Sequence, residues 1–159
     1  MRAKISRIAL AAGLPLGLLL PVGETRADPL GELPGRWSGS GSIRMTNGAT
    51  QSVKCVATYF VAGSNVTQNL RCASPSYKID TKATLAVRGG HVTGTWEERQ
   101  YAQTGSVSGR MTSNGFNLQI SGAQFTAALQ LTSTACKQSL SITPKGFDIS
   151  RISMGLGKC

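Results

Sequence analysis

The 159-residue sequence holds a single histidine, His91, and seven acidic residues: Glu24, Asp28, Glu32, Asp80, Glu97, Glu98 and Asp148. That shortage limits catalysis first. A Ser-His-Asp or Cys-His site would have to use His91, which sits in the turn Gly89-Gly90-His91 without a nucleophile-elbow sequence. Glu97 and Glu98 are neighbours on a strand pattern, so their side chains point to opposite faces and do not share a substrate. Both are expected at the solvated end of a strand beside Arg99. No close Cys-x-x-Cys pair offers a metal site, and no cofactor motif is present. We therefore expect no enzyme, no metal and no cofactor. Charged residues make up 15% of the chain, against roughly 25% in typical soluble domains. The sequence has 17 Ser, 15 Thr and 19 Gly, which favour strands and turns over a helical bundle.

Long apolar runs are equally scarce. The one present extends from Ile8 to Val22, follows the basic residues Arg2, Lys4 and Arg7, and is followed by Thr25-Arg26-Ala27. Its 15 residues include Pro15 and Pro21 and fall short of the ~20 that span a bilayer, so residues 1–27 read as a secretory signal cleaved after Ala27. The signal contains Arg2, Lys4, Arg7 and Arg26 against Glu24, so +7 of the formal +10 would remain on residues 28–159. We expect a protein with no membrane span, periplasmic or secreted, in which residues 28–34 form a leader and 35–159 one domain. A domain of this size buries roughly two-thirds of its unfolded surface, enough for a real core.

From Gly35 onward, short period-two runs alternate with turn clusters such as Thr46-Asn47-Gly48, Ala62-Gly63-Ser64-Asn65, Gly89-Gly90-His91 and Ser113-Asn114-Gly115. Val66, Gln68, Leu70 and Cys72 share one face against Thr67, Asn69 and Arg71 on the other. Phe116, Leu118 and Ile120 alternate in the same way with Asn117, Gln119 and Ser121. About eight to ten such strands make an all-β, antiparallel up-and-down meander, for which a closed barrel is favoured over a sandwich because closure leaves no free edges. Near Ser150-Arg151 the alternation slips by one residue, as a bulge or short helical turn would require.

Gly35-Arg36-Trp37 at the first strand, followed by the meander and the segment Gly90 to Trp96, resembles the lipocalin and avidin group of calycin-type barrels over most of residues 28–159. Avidin-like proteins would imply biotin held by a polar first strand and several tryptophans at the mouth. Here Gly39 stands where an Asn is expected and Trp37 and Trp96 are the only tryptophans, so the resemblance implies architecture without biotin.

Four cysteines, Cys55, Cys72, Cys136 and Cys159, allow three pairings in an exported chain. A hairpin turning between Gly63 and Ser64 places Cys55 directly across from Cys72 at a non-hydrogen-bonded position, which leaves Cys136 for Cys159.

Three roles fit these residues. The first is an exported binding protein whose basic outer wall engages an anionic envelope component or acidic protein, with Arg71, Lys82, Arg88 and Arg110 as binding residues. The same outward series contains Arg44, Lys54 and Lys137, and basic residues on an outer face also serve solubility. Nucleic acid fits this wall least, since few exposed aromatics are available for base stacking. The second role is carriage of a small apolar ligand inside the barrel, touched by Trp37, Tyr59 and Trp96. Gln68 and Gln138 on inward faces need partners there. The third is a proteinaceous enzyme inhibitor that presents Asp28 to Pro34 as an arm. The sequence leaves the oligomeric state and the partner's identity open.

Overall fold

The computed structural model describes residues 28–159, so the expected signal at 1–27 lies outside the described residues. Ten strands follow one short helix, α1 (Pro29–Glu32). They are β1 (Gly35–Met45), β2 (Thr50–Ala62), β3 (Asn65–Ala73), β4 (Lys78–Arg88), β5 (His91–Glu98), β6 (Gln103–Met111), β7 (Gly115–Gly122), β8 (Thr126–Ser133), β9 (Lys137–Lys145) and β10 (Ile149–Gly157). Each pairs antiparallel with its neighbours in sequence, and β1 pairs with β10 to close the barrel. Every strand thus has its backbone donors and acceptors paired on both sides, the solution that removes sheet edges altogether. Ten strands are two more than the eight of lipocalin barrels and streptavidin.

The period-two pattern sorts the side chains. Trp37, Ile43, Val66, Val92, Phe116 and Met154 point inward and are buried, whereas Ser, Thr and basic residues cover the outer wall. An apolar inside with a polar outside is the reverse of a membrane-spanning barrel, whose lipid-facing band is apolar. The β2–β3 register pairs Cys55 with Cys72, and these two are bridged with Cα atoms 4.1 Å apart. Cys136, in the turn before β9, is bridged to Cys159. The slip near Ser150 is a bulge: Arg44 faces Arg151 and Met45 faces Ile149, which leaves Ser150 as the extra residue, its hydroxyl donating to the Arg44 carbonyl at 3.1 Å.

The leader does not form a free arm. Asp28 caps α1 by accepting from the Leu30 N–H at 3.1 Å, and Pro at the first helical position needs no such partner. The turn delivers Leu33, 3% exposed, into the barrel end, where its carbonyl accepts the Trp37 indole N–H at 2.8 Å. Lys158 fastens the leader from the other terminus. Its ammonium donates to the carbonyls of Glu32 (2.8 Å) and Pro34 (3.2 Å) and lies 4.6 Å from the Trp37 ring centre. Residues 28–34 read as a flexible leader because they precede the first strand; the burial of Leu33 is a tertiary contact that its place in the sequence does not reveal.

Candidate functional site

The three residues expected around an interior ligand do not converge. Tyr59 and Trp37 lie near the end closed by Leu33, and Trp37 is fully buried with its indole already bonded. Trp96 belongs to the opposite end. There it donates to the Ser121 carbonyl at 3.2 Å and packs on Phe125 (centroids 5.4 Å), which in turn packs on Phe147 (4.6 Å). In the half of the barrel that Leu33 closes is a cavity of about 50 Å³ lined mainly by apolar side chains, among them Leu33, Val66, Phe116 and Leu131, with Tyr59 and Gln68 as its polar contributors. That is a third of the ~150 Å³ that admits benzene.

Tyr59 is held by amides from two other strands. Gln68 donates its Nε2 to the phenol oxygen at 3.0 Å, and the phenol donates to Gln138 Oε1 at 3.4 Å. Burial pushes the Tyr59 phenol up to about 12, against which the hydrogen bonds to Gln68 and Gln138 act in the opposite sense. Gln138, 3% exposed, keeps its Nε2 without a partner among the described residues.

The basic wall divides into two parts. The three ion pairs among the described residues gather on Asp80 and Glu97: Arg71 to Asp80 at 3.4 Å, Arg99 to Asp80 at 3.1 Å and Arg99 to Glu97 at 3.4 Å. Lys82 stands opposite Glu97 in the β4–β5 register. Arg71 and Lys82 therefore occupy a stretch where carboxylates offset much of the positive charge. Arg88 and Arg110 do not. The register sets Arg88 opposite His91 and His91 opposite Arg110, which places the three side by side on β4, β5 and β6. All three are exposed, and the next position on β7 is Asn117. The carboxylates of the leader, Asp28 and Glu32, form no ion pair with them among the described residues.

Glu98 departs from expectation. Glu97 is exposed beside Arg99, but Glu98 is 8% exposed and spends both carboxylate oxygens on backbone, accepting from the Asp80 N–H at 2.8 Å and from the Tyr101 N–H. Its inward phase was legible; the β5–β6 turn that folds over it was not, because turn geometry is set by which backbone donors need a partner.

A second outer feature lies across β1, β2 and β3, where Arg36, Val56, Thr58, Phe60, Asn69 and Arg71 line a shallow groove of about 350 Å³. Phe60 is 60% exposed. The signal for it was present, since Val53, Cys55, Ala57 and Tyr59 point inward and the same alternation puts Phe60 in solvent. No known family model matches this chain, and no curated protein matches it in sequence.

Proposed function

We propose that this is an exported, non-enzymatic binding protein that engages an anionic partner through the outer wall of a barrel of the lipocalin and avidin kind. The observation that carries the reading is the row Arg88, His91, Arg110, exposed on adjacent strands with no carboxylate at a neighbouring register position. Two arginines spaced by the register of the sheet offer planar guanidinium forks to carboxylate, phosphate or sulfate groups. The two disulfides fit an oxidising compartment, and the N-terminal signal would take the chain there. Such a wall would meet envelope polymers or acidic proteins.

The test uses residues 28–159 and polyphosphate in low and high salt. Wild-type binding should weaken steeply as salt rises, and the double substitution Arg88→Glu with Arg110→Glu should weaken it at least about tenfold. Unchanged affinity in the double variant, with its melting temperature retained, would remove the outer wall from the function.

A second reading, carriage of a small ligand inside the barrel, has one observation in its favour: the unpartnered Gln138 amide close to Tyr59. The cavity as packed is too small for a typical ligand site of ~300 Å³ or more. Nothing in the site favours the inhibitor role, whose arm is docked on one end of the barrel through Leu33.

A further inference from the structure

We infer that the groove around Phe60 binds an acidic sugar unit of a polysaccharide, an inference that rests on the anionic-partner reading and names its ligand. Among the described residues Phe60 is the large hydrophobic side chain that a strand exposes most, on a wall otherwise made mostly of small and charged groups. Nothing in the fold requires it there. Its inward neighbour Tyr59 supplies the core contact, and a Ser or Thr at 60 would serve the outer face as well as those around it.

The residues beside it complete a recognition set. Arg36, Thr58, Asn69 and Lys82 stand in one row across β1, β2, β3 and β4, and Val56 and Arg71 occupy the next outward row. Arg36 forms no ion pair among the described residues. Arg71, 3.4 Å from Asp80, shares that carboxylate with Arg99 but keeps 75% of its side chain exposed, so Arg36 is the uncompensated cation of the groove and Arg71 a partly offset second one. A flat apolar ring suits the C–H face of a pyranose, the arginines suit a carboxylate or sulfate, and Thr58 and Asn69 offer donors and acceptors for hydroxyls. A purely anionic partner would need the cations and gain little from the ring; a neutral glycan would leave the cations unused. Charge and aromatic together select a sugar bearing an acid.

The experiment compares polygalacturonate, dextran and polyphosphate on residues 28–159 carrying either Phe60→Ala or Phe60→Tyr. Phe60→Ala should weaken polygalacturonate binding about tenfold and leave polyphosphate binding unchanged, Phe60→Tyr should retain both, and dextran should bind at least about tenfold more weakly than polygalacturonate. Because Phe60 is exposed, both variants should melt with the wild type. Equal polygalacturonate affinity in wild type and Phe60→Ala would overturn the sugar site, as would an equal loss for both polyanions. The wall reading is judged separately by the Arg88 and Arg110 substitutions on polyphosphate, so it survives failure of the groove. Absence of binding to either polyanion at low salt would end both.

Discussion

Tyr59 shows how far one residue's surroundings set its chemistry. Its phenol is neutral up to about 12 because burial penalises the phenolate, while in the unfolded chain it ionises near 10. The folded state therefore holds this proton more tightly than the unfolded state. Stability tied to it is intact below pH 10 and falls as pH rises from 10 towards 12, by up to about 3 kcal/mol. A Tyr59→Phe variant should lack that segment of the curve. It should also be less stable at pH 7 by about 1–3 kcal/mol, since Gln68 loses its acceptor and Gln138 its donor. Chemical denaturation of both proteins from pH 8 to 12 checks the difference, and parallel curves would show that Tyr59 does not titrate on unfolding. Individual positions were legible to this depth only in part. Alternation placed Tyr59, Gln68 and Gln138 inside, but they come from β2, β3 and β9, and no local period brings β9 to β2.

At the scale of elements, β1 and β10 depend on glycine. An alanine Cβ at Gly39 would stand 2.0 Å from the Gly155 carbonyl oxygen, whereas one at Gly155 meets nothing within 4 Å. Gly39→Ala should lower stability by about 2–4 kcal/mol and Gly155→Ala should change it by less than about 0.5 kcal/mol, as read by urea unfolding. The same contact explains why no Asn-like side chain can occupy position 39. The leader and the C-terminus form the other coupled unit. Cys136 to Cys159 holds the chain end beside β9, Lys158 donates its backbone N–H to the Cys136 carbonyl at 3.2 Å, and its ammonium fastens the carbonyls of Glu32 and Pro34. Replacing both of these cysteines by Ser should cost about 3 kcal/mol. It should speed hydrogen exchange at the Trp37 indole while the Trp96 indole, bonded to Ser121 at the other end, keeps its protection. Equal exchange changes at both indoles would show that the staple acts globally, with no special hold on the leader. The pairing of Cys55 with Cys72 was readable because one tight turn fixes a hairpin's register; the docking of Leu33 was not, because it depends on a barrel end assembled from distant strands.

At the scale of the whole molecule the interior offers little room. A closed wall of ten strands around a cavity of about 50 Å³ leaves the outer surface as the roomier place for a partner. Titration with an apolar fluorescent dye should accordingly show no saturable uptake of one dye per chain. Tight, salt-insensitive uptake that Leu33→Ala enhances would put the carrier reading first. By itself the sequence determined what is local: the period of two that makes strands, the glycines and asparagines that turn them, the hairpin that aligns Cys55 with Cys72, and the phase slip at Ser150. Only the tertiary structure decided closure of β1 on β10, the plugging of one end by Leu33, the separation of Trp37 from Trp96, and the division of the cations into a compensated stretch at Arg71 and Lys82 and an uncompensated pair, Arg88 and Arg110, on either side of His91. The physical reason is common to all four. Alternation says which way a side chain points, but its neighbours across the sheet depend on register summed around the barrel, and charge balance depends on those neighbours.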